Sequence, residues 1–234
     1  MKVISLVPSW TETLVAAGVD VVGRTRFCIH PAEKIRNIPV VGGTKDLKIQ
    51  VIQSLQPDFI VLDKEENTLA MSKELEQQGF KLLITHVLDI SSCILGLELM
   101  SQKLNNQNLQ DYADRYKRVI KNTSMMDQLK RPLEKSFQYV IWRNPWMTAS
   151  RHTFIGDVMS LLGVDLPVMP QRYPTLSDET IQQAYCFFST EPYPFEKKWS
   201  EIQKLNLRGE LIDGEAISWY GLRNLNYLES LKSD

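Results

Sequence analysis

Between Asp89 and Lys121 the chain carries no proline and one glycine, Gly96. Apolar residues recur through this stretch at Ile90, Ile94, Leu97, Leu104, Leu109, Tyr112, Tyr116, Val119 and Ile120. That spacing keeps one face of a helix apolar. If unbroken, such a helix spans about 50 Å, too long for the crossover of a parallel sheet. Two readings fit: two helices broken near "NNQN" (105–108), or one strut joining two lobes.

On both sides of this stretch short apolar runs alternate with helical patterns. Before it, "KVISLV" (2–7), "DVVGRT" (20–25), "IPVVGG" (38–43), "DFIVLD" (58–63) and "KLLITH" (81–86) read as strands, separated by helices such as "SWTETLVAAG" and "NTLAMSKELEQQG". After it, "FQYVIW" (137–142), "YCFFST" (185–190) and "GELID" (209–213) read as strands, with "TFIGDVMSLLG", "SDETIQQA" and "FEKKWSEIQKL" as helices and one final helix over "AISWYGLRNLNYLESLKS". Strands alternating with helices predict parallel βαβ units and an α/β fold. The organisation is an N-terminal α/β lobe (1–88), a connecting helix (89–125) and a C-terminal α/β lobe (126–234).

Charge and cysteine content remove several functions. With 27 Lys and Arg against 28 Asp and Glu, the net charge of −1 gives no electrostatic reason to bind nucleic acid or an anionic membrane. Cys28, Cys93 and Cys186 are widely separated, which argues against a disulfide framework or a zinc knuckle. His30, His86 and His152 are too dispersed for a metal site. "MKVISLVPSW" lacks the apolar stretch of about 7–15 residues and the small-residue cleavage site of a signal peptide. No apolar run of about 18 residues predicts a membrane span. The expectation is a cytoplasmic protein, or a periplasmic one if a leader has been removed.

In open parallel sheets, ligands bind beyond the carboxyl ends of the strands. The unusual residues follow those ends: Ser9 and Trp10 after the first strand, Cys28 and His30 in "FCIHP" after the second, "GGTK" (42–45) after the third, Glu66 in "KEEN" (64–67) after the fourth. In the second half the same edge gathers Trp142, Arg143 and Trp146 in "WRNPWMTASRHTFIGD", Tyr193 and Phe195 in "EPYPF", and Trp219 and Tyr220 in "GEAISWYG". Pro145 ends the strand as a central one, so the chain must turn at that edge. A helix starting near Thr153 is then expected to offer free N–H groups close to that edge, a seat for an acidic group. Replacing Trp146 is expected to weaken binding and leave stability unchanged.

The ordered motifs "KVISLVPSWTETLVAAGVDVVGRTRFCIHP" and "IPVVGGTKDLKIQVIQSLQPDFIVLD" resemble the first lobe of the class III periplasmic binding proteins. These helical-backbone metal receptors bind cobalamin, haem or ferric siderophores for ABC importers. "YVIWRNPWMTASRHTFIGDVMSLLG", "STEPYPF" and "DGEAISWYG" are similar to a cobalamin-binding-like branch of that family. The resemblance spans nearly the whole chain. It implies two Rossmann-like α/β lobes joined by one long helix, with a ligand cleft between the lobes; a single helix resists bending, so little hinge closure on binding is expected.

That implied cleft takes a corrinoid or another metal chelate as a non-covalent ligand, with no covalently bound cofactor and no metal held by the protein itself. Trp142, Arg143 and Trp146 are expected to line it, facing Trp10 and the 28–30 loop. Trp10, Trp142, Trp146, Tyr193, Phe195, Trp219 and Tyr220 would supply flat apolar walls, and Arg143, Arg151, Arg172 and Arg223 would meet polar groups at the rim. Importers of the family dock on their permease through one acidic residue per lobe. Glu179 in "SDET" matches one position; the other falls near Leu69, with Glu65 and Glu66 a few residues earlier. The alternatives are an enzyme on the same scaffold that uses Cys28, His30 or Glu191, and a redox or interaction protein with an aromatic edge.

Overall fold

The computed structural model describes residues 1–43, 46–121 and 136–231. Thr44 and Lys45 of "GGTK", the end of the connecting stretch with the expected 125/126 boundary, and the last residues of the expected final helix lie outside the described residues. The chain forms two compact units. One is Met1–Val87 with Ser91–Arg118 and Tyr220–Asn226; the other is Leu88–Ile90 with Val119–Trp219 and Tyr227–Asp234.

The first unit follows the predicted alternation: β1 (Lys2–Ser5), α1 (Pro8–Ala16), β2 (Asp20–Arg24), α2 (Ala32–Ile35), α3 (Ile49–Leu55), β3 (Phe59–Asp63), α4 (Leu69–Gln77) and β4 (Leu82–Thr85). The strands form one parallel sheet in the order β2-β1-β3-β4. Its interior strands are near-continuous apolar runs because both faces are covered. Ile4, Leu6, Ile60 and Leu62 pack there with Ile52 of α3 and with Met71 and Leu75 of α4. The expected strand over 38–43 is reduced to isolated bridges, Arg24 with Val40 and Gly42 with Leu47. Val41 N–H still donates to Arg24 O and Arg26 N–H to Gly42 O, so the segment keeps a few backbone bonds to the end of β2 without forming a full strand.

The proline-free stretch is two helices, α5 (Ile90–Leu104) and α6 (Gln107–Ile120). Asn105 sits between them at φ 48, a left-handed conformation that asparagine tolerates better than most residues. Asn106 then accepts from Leu109 N–H at 3.1 Å, which caps the restart. Asn106 and Asn108 side chains both donate to Ala17 O, the end of α1. The polar run "NNQN" therefore breaks the helix and fastens the break to α1.

The second unit contains β5 (Phe137–Trp142), β6 (Trp146–Ala149), α7 (Phe154–Leu161), β7 (Thr175–Leu176), α8 (Asp178–Gln183), β8 (Tyr185–Ser189), α9 (Trp199–Gln203), β9 (Gly209–Ile212) and α10 (Gly214–Ser218). The sheet order is β7-β6-β5-β8-β9, with β5, β8 and β9 parallel and β6 and β7 antiparallel. Sequence reading misses β6 and β7. "NP" does end β5, but Asn144 at φ 64 makes the turn tight enough for the chain to double back as a hairpin. The expected last helix is also two: α10 ends before Trp219, and α11 (Leu222–Ser230) starts after Gly221 at φ 87.

Candidate functional site

In the second unit β5, β8 and β9 end at Trp142, Ser189 and Ile212, so the loops beyond them share one edge. Trp142 is 40% exposed and meets Tyr193 edge-on, with ring centroids 5.5 Å apart. Arg143 donates to Glu201 Oε2 at 3.2 Å, and its guanidinium lies 5.7 Å from the Trp146 ring centre. Trp146 itself is 9% exposed, stacks parallel to Phe195 and donates Nε1–H to Asp178 Oδ1 at 2.9 Å. Below the surface, Phe188, Phe195 and Ile202 complete an aromatic core.

Beside this aromatic patch lies an open depression of about 500 Å³, lined by Thr190, Glu191, Glu196, Leu211, Ile212, Asp213 and Glu215. Glu191 Oε1 accepts from Ser218 Oγ at 2.9 Å and from Trp219 Nε1 at 2.8 Å. Burial raises the Glu191 pKa. The Ser218 and Trp219 hydrogen bonds pull it back, and the neighbouring Glu215 and Asp213 carboxylates push it up again.

In the first unit the order β2-β1-β3-β4 reverses direction between β1 and β3, the place where open sheets usually seat a ligand. Here the protein's own side chains occupy the carboxyl ends of β3 and β4. Asp63, with no exposed surface, accepts from Thr85 Oγ1 (2.6 Å), Val87 N–H (3.0 Å) and Glu65 N–H (2.9 Å). Thr85 Oγ1 in turn accepts from Trp10 Nε1 at 2.9 Å. Trp10 has no exposed surface and meets Tyr220 edge-on at 4.9 Å. Ser9 and Tyr220 are also buried. A smaller hollow of about 210 Å³ lies next to this network, lined by residues that include Leu62, Asn67, Thr68 and Leu69. The loop after β2 does reach the surface: Phe27 and Ile29 are 46% and 51% exposed, and His30 is half-buried.

The structure thus brings Trp142, Arg143 and Tyr193 together over Trp146, and joins Trp219 to the same edge through Glu191. It separates others. Hairpin pairing sets Ala149 opposite Tyr139, so Arg151 and the start of α7 lie toward the amino end of β5, away from Trp142. The acid seat expected at that edge is therefore corrected: Thr153 Oγ1 caps α7 at Gly156 N–H, and Arg151 pairs with Asp157 at 3.4 Å. Arg223, expected at the rim, grips both oxygens of Glu12 at 2.8 Å within the first unit. Arg172 donates to His152 O. Trp10, Cys28, Trp146 and Tyr220 are packing residues in this arrangement, since a buried ring or thiol offers no face to a ligand. Glu66 and Glu179 are exposed, on the turn after β3 and in the first turn of α8.

Sequence reasoning missed Phe27 and Ile29 as edge residues. In an extended segment side chains alternate, so the inward Cys28 signals that its neighbours face out. Cys28 Sγ lies 3.0 Å from Thr11 Oγ1 and 3.2 Å from Thr25 Oγ1, and burial pushes its pKa above the ordinary thiol value. Cys186 is pushed up to about 12 by the same cause. Thiol chemistry needs an accessible thiolate. Native protein at about pH 8 is therefore expected to react slowly with a disulfide reagent at all three buried cysteines and rapidly only in denaturant. A fast native equivalent would restore Cys28 as a reactive group.

Among the described residues no group of three or more His, Cys, Asp or Glu is placed to hold a metal ion. No described helix is long and apolar enough to cross a membrane.

No protein-family model and no curated relative matches the sequence. Solved structures do. The chain is similar to the periplasmic vitamin B12 binding protein BtuF of Vibrio cholerae, with a TM-score of 0.76 and 20% identity over 98% of this chain and 94% of that one. A periplasmic heme binding protein from Pseudomonas aeruginosa gives a TM-score of 0.80 and 18% identity over 99% and 91%. The siderophore binding protein BauB, solved with ferric iron and two molecules of acinetobactin, gives 0.70 and 15% over 99% and 91%. At this level of identity the likeness concerns the fold: the chain is built, end to end, like the periplasmic binding proteins that carry cobalamin, haem and ferric siderophores.

Proposed function

We propose that this protein binds a large metal chelate of the corrinoid, haem or ferric-siderophore class non-covalently, as a substrate-binding protein of the ABC-importer type. The observation that carries the reading is Trp142. A tryptophan left 40% exposed at the carboxyl end of β5, braced edge-on by Tyr193, is a flat apolar face presented to solvent. Arg143 beside it supplies a fixed donor. In the first unit the Phe27–Ile29 loop presents an exposed apolar surface of its own. Such sites combine apolar walls with a few convergent polar groups, which suits a macrocycle or an iron chelate with a polar periphery. The buried, high-pKa thiol of Cys28 counts against the enzymatic alternative. The exposed Glu66 and Glu179 are the candidates for contact with a permease.

The test is absorbance titration with hydroxocobalamin, haemin and a ferric hydroxamate. We expect at least one to bind at about micromolar Kd or tighter. Trp142→Ala is expected to weaken that binding by about 1–3 kcal/mol, the usual loss for an interface aromatic, while the melting temperature stays close to that of the parent. Absence of binding by all three would refute the reading. Full affinity in the variant would remove Trp142 from the site.

A further inference from the structure

The sequence offers Glu191 as a catalytic group, and the structure uses it differently. Its carboxylate lies where two loops of the second unit meet. One loop, residues 190–195, follows β8 and carries Tyr193; the other follows β9 and runs through α10 to Trp219. Both loops contribute walls to the 500 Å³ depression. Glu191 Oε1 receives Ser218 Oγ and Trp219 Nε1 together, at 2.9 and 2.8 Å. The root of the second loop is fixed to the first by Gly214 N–H, which donates to Thr190 Oγ1 at 2.9 Å. At that point the backbones come so close that a Cβ on Gly214 would lie 2.9 Å from Glu191 N. At the other end of α10 the Glu191 carboxylate is the tie.

We propose that Glu191 is a positioning residue: it holds the Trp219 indole and the 218–219 turn against the 190–195 loop, and so sets the shape of the ligand edge. This rests on the binding role proposed above. An ionised acceptor strengthens both hydrogen bonds, and a half-buried indole N–H and hydroxyl left without it have reason to move to other partners. Glu191 acts through Trp219 and not on the ligand.

The experiment compares Glu191→Ala, Glu191→Gln, Trp219→Phe and the double variant E191A/W219F. The probes are hydroxocobalamin and haemin, and affinity is read from whichever binds the parent more tightly. Glu191→Ala is expected to weaken binding about tenfold, the scale of losing one placed contact. Glu191→Gln keeps an acceptor oxygen and is expected to restore most of the affinity. Because both groups work as one unit, the double variant should bind no worse than Glu191→Ala alone. Parent-like affinity in Glu191→Ala overturns the proposal. So does Glu191→Gln binding as poorly as Glu191→Ala, which would mean that the charge meets the ligand directly. A second readout needs no ligand: acrylamide quenching of Trp219, taken as the difference between each protein and its Trp219→Phe counterpart. Quenching should rise in Glu191→Ala; unchanged quenching overturns the tie. If neither probe binds the parent, the binding role fails, and the quenching result still decides the role of Glu191.

Discussion

Trp146→Ala is expected to destabilise the second unit by about 3–5 kcal/mol, the usual cost of removing a large core aromatic. The indole stacks on Phe195 at 6°, tilts against Phe188 at 6.4 Å and is only 9% exposed. Nothing nearby can collapse into the space without moving β8 or the 193–195 loop. The deletion also strips the Asp178 carboxylate of the Nε1–H bond. Because Asp178 is exposed and can turn to water, that part is the smaller one. Trp146→Phe separates the two: it keeps most of the packing and loses the N–H, for about 1 kcal/mol. Urea unfolding followed by far-UV circular dichroism measures both. Binding will fall as well in Trp146→Ala, since Arg143 lies over this ring and Tyr193 rests on Phe195. A variant that binds weakly and unfolds like the parent would return Trp146 to the ligand surface.

This reverses the expectation drawn from the sequence, and the reason is local. Trp142 and Trp146 are four residues apart in one aromatic stretch, and composition gives both the same value. Their fates differ because Asn144 and Pro145 make a hairpin turn and not merely a strand end. Trp142 stays at the open end of β5, while Trp146 re-enters the sheet opposite Leu176. A two-residue strand such as β7 leaves no periodicity to read, so the hairpin's outer partner was invisible. By contrast β1, β3, β5 and β8 were plain, since each is an apolar run of buried β-branched or aromatic residues closed by turn formers. The candidate edge was legible for the same reason: strand ends are easy to place, and the odd residues follow them. What could not be read was which of those residues turn inward. Trp10 turns to Thr85 and its partner Asp63, Cys28 to Thr11 and Tyr220 to Trp10, and none of Asp63, Thr85 and Thr11 announces itself in the sequence.

A chain ending at Trp219 is expected to lose the fold of the first unit, although every strand of that unit lies before residue 86. The first unit is completed by Tyr220–Asn226. Tyr220 covers an edge of Trp10, and Leu222 N–H donates to Thr13 Oγ1 at 3.0 Å. The fully buried Tyr116 hydroxyl donates to Gly221 O at 2.8 Å and lies 3.1 Å from Asn224 Oδ1. Arg223 neutralises the half-buried Glu12 through paired 2.8 Å bonds, and Leu225 has no exposed surface. Truncation leaves a hydroxyl and a carboxylate short of partners and opens Trp10 and Tyr116 to water. Summed over these groups the loss is on the order of 5–10 kcal/mol, comparable with the whole stability of about 5–15 kcal/mol that a domain possesses. Hydrogen exchange resolves the outcome by region: amides of β1–β4 should lose protection in the truncated chain. A control ending at Leu231 should keep that protection, because the segment that completes the first unit is intact. If the chain ending at Trp219 instead protects β1–β4 as the parent does, Tyr220–Asn226 is an ornament on the first unit and not part of its core.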